Sequence, residues 1–276
     1  MSAAQPARIL RLVKSGPERR ALESGQVDAV LDRASGTVHL LPAAERALSA
    51  AGAIGNSLLA ALPREDYRSL AGELEPVTLS AGEVLFEPGE RIRHVYFPSD
   101  AHVSLRIVMA DRKVLEVGLV GREGMVGVAL LLREEASAVR VLVQGTGSAL
   151  RMKAASFREA LARSPALQNE LYRYAYAQLV QARQTAACNR FHQVDGRLAC
   201  WLLRTRDRVR SDRFRLTHEL LAASLGIRRV GVTNAASALQ RCGAISYQRG
   251  DIRILDRGGL EAAACACYAI VRGLTG

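Results

Sequence analysis

The chain has 276 residues and a mass of 29.8 kDa, room for about two domains. Apolar residues make up 49% of it and aromatic residues 5%, and no apolar run approaches the ~18 residues of a membrane span, so a membrane-embedded protein is excluded. The net charge of +11 is unevenly placed: from Arg190 to the end there are 15 arginines, no lysine and seven acids, a local excess of +8, whereas residues 1–55 carry +2 and the stretch between them +1. An arginine-rich third beside a near-neutral middle is the pattern a polyanion selects, because guanidinium forks suit phosphates and guanine edges. The five cysteines, all at or beyond Cys188 and without a CxxC pair, form no disulfide framework. With no apolar leader segment after Arg8 and Arg11, the expected compartment is the reducing cytoplasm.

Residues 1–55 are alanine-rich and broken at Gly16-Pro17, Gly25, Ser35-Gly36 and Pro42. They predict one short amphipathic stretch (Ala21, Leu22, Val27, Val30, Leu31) and a hairpin around Ser35-Gly36, with no recognisable chemistry. From Asn56 to Ser164 the pattern changes to seven short β-type runs: 77–79, 84–86, 94–97, 103–108, 114–119, 139–143 and 149–152. Turns such as Glu87-Pro88-Gly89 and Gly145-Thr146-Gly147 join them, which predicts an antiparallel sandwich or jelly-roll β-barrel. After Ser164-Pro165 a helix is expected to run without Gly or Pro as far as Gly196. Tyr172, Ala175, Leu179, Ala182 and Ala186 recur along it at alternating steps of three and four, the spacing of a helix–helix seam. Small residues at three of these positions favour a symmetric dimer over packing on the chain's own β-domain.

The segment Leu216 to Ile245 reads LTHELLAASLGIRRVGVTNAASALQRCGAI. Thr217 is a good N-cap for a short helix over Glu219 to Leu225 with Leu220, Leu221 and Leu225 inward, and Gly226 supplies the turn. A second helix starts near Arg228, buries Val232, Ala235, Ala236 and Leu239, and stops at Cys242-Gly243. Its outward Arg228, Arg229, Thr233 and Asn234 are the residues expected to reach a major groove, with Thr217 and Arg241 beside them. Ile245 to Gln248, a turn at Arg249-Gly250-Asp251 and Ile252 to Leu255 follow as a two-stranded wing, adding Gln248 and Arg249 to the expected contacts. Double-stranded DNA is therefore the expected partner. No GxSxG, HExxH or P-loop motif is present, and the glycine-rich GREGMVG at 121–127 does not sit between a strand and a helix, so no enzyme is expected.

On SLLAALPRED (57–66), LSAGEVLFEPGERIRHVYFP (79–98), GREGMVG, QTAACNRFH (184–192), RLACWLL (197–203) and the helix-turn-helix with its wing, the chain resembles the Crp/Fnr family of bacterial transcription regulators. The resemblance implies an α+β architecture: an N-terminal extension (1–55), a cyclic-nucleotide-binding-like jelly-roll β-barrel (56–164), a dimerisation helix (165–190) and a winged helix-turn-helix (191–276). It also implies a cytoplasmic homodimer on a palindromic promoter site, with RNA polymerase as a further partner if the protein is an activator.

Departures from the family pattern limit the signal. Where relatives carry a Gly-Glu pair and an Arg-Ser or Arg-Thr pair for cyclic nucleotides, this chain has Gly127-Val128 and the run Arg133 to Val139, so a cyclic nucleotide is not the expected effector, although Arg133 and Arg140 are near enough in sequence to be candidates. The absence of any cysteine before Cys188 excludes the family's iron–sulfur sensor. His94 and His102 are candidate axial ligands should the signal be haem. Cys265 and Cys267, read as part of one helix in ACACY, face different sides and are expected to be packing thiols, so neither a metal nor a cofactor is expected. In the recognition helix Val230 stands where the family commonly has Glu, and Asn234 where it has a second Arg, which predicts an altered half-site. The alternatives left open are a haem- or small-molecule-sensing regulator of this fold and a structural dimer module that binds no DNA.

Overall fold

The computed structural model describes residues 29–32, 37–40, 55–111, 113–209 and 211–275. Residues up to Ile54 form one unit and Gly55 onward another. In the first, β1 (Ala29–Asp32) pairs antiparallel with β2 (Thr37–Leu40), Ala29 opposite Leu40. These strands flank Ser35-Gly36, where the hairpin was expected. Val30 and Leu31 fall in β1, while Ala21, Leu22 and Val27 of the amphipathic stretch lie outside the described residues.

The second unit opens with two short helices, α1 (Ser57–Ala60) and α2 (Arg64–Ala71). Asn56 caps α1 by accepting from the Leu59 amide, and its buried side-chain amide donates to the carbonyls of Pro98 and Gly124. Seven strands follow: β3 (Glu75–Leu79), β4 (Val84–Phe86), β5 (His94–Pro98), β6 (His102–Val108), β7 (Val114–Val120), β8 (Arg140–Gly145) and β9 (Gly147–Lys153). All their pairings are antiparallel, in sheets of order β3-β9-β5 and β4-β8-β6-β7. The alternation places Val95, Phe97, Val103, Leu119, Val143 and Met152 inward, where all are buried. The two sheets form a roll and do not close into the expected barrel, because among the described residues no ladder joins one sheet to the other. Phe157 of α3 (Ala154–Arg163) plugs its side.

Helix α4 (Pro165–Phe191) begins with Ser164 as N-cap, accepting from the Leu167 amide, and with proline at its first position. At 27 residues it is about 40 Å long. It ends at Phe191 with His192 as C-cap, and α5 (Val194–Val209) starts two residues after that cap with Gly196 inside its first turn. One face of α4 buries Leu171, Tyr174, Gln181 and Cys188 against its own chain. The Tyr174 hydroxyl donates to the Met125 carbonyl (3.0 Å), and its ring lies where a Cβ at Gly124 would stand. The GREGMVG segment is thus held by α1, α4 and β5, the last through mutual backbone bonds of Tyr96 and Val126. It is a packing crossroads.

The helical end comprises β10 (Arg213–Arg215), α6 (His218–Leu225), α7 (Arg229–Arg241), β11 (Ile245–Gln248), β12 (Asp251–Ile254), α8 (Arg257–Ala263) and α9 (Cys267–Thr275). Leu198, Trp201, Leu202, Leu221, Val232 and Leu239 are among the residues of its core. No helix is long and apolar enough to cross a membrane among the described residues.

Candidate nucleic-acid interface

Thr217 caps α6 by accepting from the Leu220 amide (3.2 Å), and Gly226 ends it at φ 64°, a conformation that costs a glycine least. The chain then turns into α7, whose Val232, Ala235, Ala236 and Leu239 are buried against the helical core. Leu221 and Leu225 of α6 are buried as expected, while Leu220 is only partly so. With the inner face of α7 consumed by packing, Arg228, Arg229, Thr233, Asn234 and Arg241 are all exposed. Val230 joins them, 63% exposed, so the outward face also carries a methyl-bearing surface.

Thr233 is not free. Its hydroxyl donates to the Arg229 carbonyl (3.1 Å) and lies 3.1 Å from Nδ1 of His218. The His218 ring sits 4.6 Å from that of Tyr247, whose hydroxyl donates to the Leu216 carbonyl. Partial burial, with the Arg229 charge beside it, pushes the His218 pKa down. His218 and Tyr247 thereby fix α7 against the wing, a role without a local sequence sign because the two residues are far apart along the chain.

The wing has three strands rather than two. β10 adds to the β11–β12 hairpin in the order β10-β12-β11, with Arg213 opposite Arg253. Its tip is a two-residue turn at Arg249-Gly250, both left-handed at φ 51° and 83°, while Asp251, expected as part of the turn, opens β12 opposite Gln248. Gln248 and Arg249 are exposed there. The arginine excess is spread less evenly than the count suggests. Arg197 and Arg208 are buried, Arg213 is paired with Asp251 and Arg206 with Asp212. Arg228, Arg229, Arg241, Arg249 and Arg253 remain outward.

The helical end is bolted to the roll by two buried polar groups. Glu116 of β7 accepts from Trp201 Nε1 (2.7 Å), Ser104 Oγ (2.7 Å), Gln144 Nε2 (2.8 Å) and Ser224 Oγ (3.1 Å). These donors come from α5, β6, β8 and α6. Glu123 of GREGMVG pairs at 2.7 Å with Arg208 of α5, which also donates to the Leu119 carbonyl and to Gln181 of α4. Neither carboxylate stood out in the sequence, since the side chains that bind them are distant along the chain.

Between β7 and β8, Gly127 is left-handed and leads into a 3-10 turn over Val128–Leu132, where Leu130 and Leu131 are buried. Arg133 follows at φ 64° and is exposed. Arg140 is occupied by Glu87 through two bonds of 2.9 and 2.7 Å. Of the haem candidates, His94 lies part-buried on β5 and His102 buried on β6, in different sheets. The His102 ring fills the space over Gly145, and burial, helped by the Arg208 charge, pushes its pKa down to about 4. His102 is therefore neutral in the folded chain where the unfolded chain, near 6.5, already binds a proton. Stability present above about pH 6.5 should fall by about 3 kcal/mol as the pH drops to about 4. Denaturation midpoints of wild type and His102→Gln, compared across that window, check this: the variant should lose this part of the acid sensitivity.

The expected dimer seam is largely uncovered. Tyr172 is 50% and Leu179 46% exposed, Ala182 and Ala186 are exposed, and Ala175 is partly covered. At the other end of α4 the expectation for the terminal cysteines needs correcting. The run ACACY is not one helix: α8 stops at Ala263, Cys265 lies in the turn that follows and Cys267 opens α9. The two thiols therefore need not face opposite sides.

This architecture, a β-roll, a long helix and a winged helix-turn-helix in that order, defines a class of regulator. A Crp-like helix-turn-helix domain matches residues 196–263 and a cyclic nucleotide-binding domain matches residues 76–164. Together they span more than half of the chain, and it belongs to the Crp/Fnr family of transcription regulators. Among solved structures, FixK2 from Bradyrhizobium japonicum aligns at a TM-score of 0.60 and 16% identity, over 70% of this chain and 98% of that one. TTHA1359, a CRP/FNR-family regulator from Thermus thermophilus, aligns at 0.57 and 24%, over 69% and 98%. The c-di-GMP responsive regulator CLP from Xanthomonas campestris aligns at 0.56 and 15%, over 70% and 100%. At these identities the likeness is one of fold. No curated protein matches the chain.

Proposed function

We propose that this protein is a cytoplasmic homodimer that binds an inverted-repeat promoter site through α7, acts on transcription rather than as an enzyme, and takes a signal other than a cyclic nucleotide. The division into a sensor roll (56–164), a dimer helix (165–190) and a DNA-binding end (191–276) belongs to this reading. The observation that carries it is the division of α7: four inward residues anchor it, and Arg228, Arg229, Thr233 and Asn234 are exposed, Thr233 with its hydroxyl held by His218 and the Arg229 carbonyl, beside a wing tipped by Arg249. In the major groove Arg229, the first residue of α7, can hold guanine O6 and N7 and Asn234 adenine N6 and N7, while Val230 suits a thymine methyl. Thr217, Arg241, Gln248 and Arg249 flank that surface and suit the phosphates.

Arg229→Ala should cost about 1 to 3 kcal/mol of specific binding and relax discrimination at one base pair per half-site. Arg249→Asn, which keeps the left-handed turn but removes the charge, should weaken all sequences alike and lower the salt slope by about one per subunit. A mobility-shift series on a selected site, run at several salt concentrations, checks both; unchanged affinity and preference in Arg229→Ala would sink the assigned register.

The signal reading rests on charge. With Val128 in place of a carboxylate and Arg140 already held by Glu87, a cyclic phosphate would lose its hydration without enough donors to replace it. Calorimetry with cyclic AMP and cyclic GMP at about 0.1 mM should give no heat. Micromolar binding coupled to a gain in operator affinity would refute this and promote Arg133 or Arg140 to phosphate ligands.

A further inference from the structure

We propose that Cys188, His192, Cys265 and Cys267 form a closed tetrahedral site for one zinc ion, which ties the end of α4 to the C-terminal helices. Their four ligand atoms all lie within 4.8 Å of one another. Sγ of Cys188 is 3.6 Å from Sγ of Cys265, and Sγ of Cys267 is 3.3 Å from Nδ1 of His192. Zinc bonds of about 2.3 Å to sulfur and about 2.0 Å to nitrogen give tetrahedral edges of about 3.5 to 3.8 Å. The donor set is thus close to the size of one ion's coordination shell.

Local structure explains the convergence. Cys188 and His192 are one helical turn apart at the close of α4, where His192 is the C-cap. Cys265 and Cys267 meet them because the chain leaves the helix between Ala263 and Cys267. The turn is pinned by the Cys265 amide donating to the Gly196 carbonyl (3.3 Å), and a Cβ at Gly196 would stand 3.4 Å from the Cys265 nitrogen. Gln184 donates to Cys267 Sγ at 3.0 Å, the kind of outer contact that orients a thiolate ligand.

Packing alone explains this poorly. Cysteine buries well as a small hydrophobe, but that gives no reason to gather three thiols around an exposed imidazole, since thiols are weak hydrogen-bond partners. Soft sulfur with one imidazole selects zinc among the common divalent ions, and four protein ligands leave no open position, so the role is structural. An iron–sulfur cluster, with its thiolates on different irons, needs a wider spread of ligands. The ion would sit beside the break at His192-Gln193, joining α4 to the segment that follows α8.

The test is metal analysis of the full chain, purified under reducing conditions without added metal or chelator. One zinc per chain is expected. Cys265→Ser and Cys267→Ser should hold zinc about tenfold or more weakly, whereas Cys242→Ser, outside the cluster, should keep it. Cobalt(II) added to chelator-stripped wild type needs no variant: it should give the intense ligand-field bands of tetrahedral thiolate cobalt, and zinc should abolish them. A chain that neither holds zinc nor gives those bands, a Cys188–Cys265 disulfide, iron with acid-labile sulfide, or zinc retained undiminished in both serine variants would each overturn the proposal.

Discussion

Replacing Glu116 by alanine should destabilise the chain by about 3 to 5 kcal/mol and loosen the helical end from the roll. The carboxylate is buried and accepts four hydrogen bonds, so its removal takes the acceptor from Trp201 Nε1, Ser104 Oγ and Ser224 Oγ and leaves Gln144 Nε2 with Ser224 Oγ alone. Two of these donors, Trp201 on α5 and Ser224 on α6, belong to the helical end, and the other two to the roll. The effect is therefore expected at the junction first. Trp201 is the sole tryptophan, which makes its emission a direct report: a red shift in Glu116→Ala below the unfolding transition would show the indole meeting water. Glu116→Gln keeps an acceptor oxygen and should fall between wild type and alanine. Denaturant midpoints and emission maxima that match wild type in Glu116→Ala would refute the junction. The Glu123–Arg208 pair is a second, independent bolt, so loss of Glu116 should loosen the contact without unfolding either side.

The same junction reaches the turn of the helix-turn-helix. Helix α6 packs on β7, and a Cβ at Gly226 would stand 2.6 Å from Leu115 of that strand. The turn of the helix-turn-helix is thus in contact with the sheet that carries Glu116.

The strands and the helix-turn-helix were legible in the sequence because their signals are local. Each of the seven β-runs alternates or is bounded by glycine, and Thr217, Gly226 and the inward positions of α7 carry their own caps and periodicity. Features that depend on distant partners were not legible. β10 has one apolar residue, Phe214, between two arginines, and becomes a strand only by pairing with β12. The end of α4 at His192 carries no glycine or proline, whereas Gly196, which looked like a breaker, is tolerated inside α5 because the Cys265 turn approaches it. Ala264-Cys265-Ala266 likewise has no breaker, so the turn that gathers the cysteines had no local sign. Closure of the roll is a property of how the two sheets meet, which strand spacing does not encode.

Introducing Leu179→Glu together with Ala182→Glu should abolish the dimer and with it tight operator binding. Both side chains are exposed and neither is among the buried residues of α4, so the substitutions leave the chain's own core untouched. Across a symmetric seam each glutamate would meet its counterpart from the second helix, where Ala182 leaves no space for solvated carboxylates. A monomer still folds and still presents α7, but it binds one half-site at a time. The gain from a second, tethered half-site is then forfeited, a loss of about 10²- to 10⁴-fold in apparent affinity. In the wild type, two recognition helices set about 34 Å apart should protect an inverted repeat whose halves are one DNA turn apart. Sedimentation of the double variant should show monomers, and its footprint should shrink to isolated half-sites or vanish. A variant that still sediments as a dimer, or a wild type that protects a single asymmetric site, would move the interface off this face of α4 and leave Tyr172, Leu179 and Ala186 to some other partner.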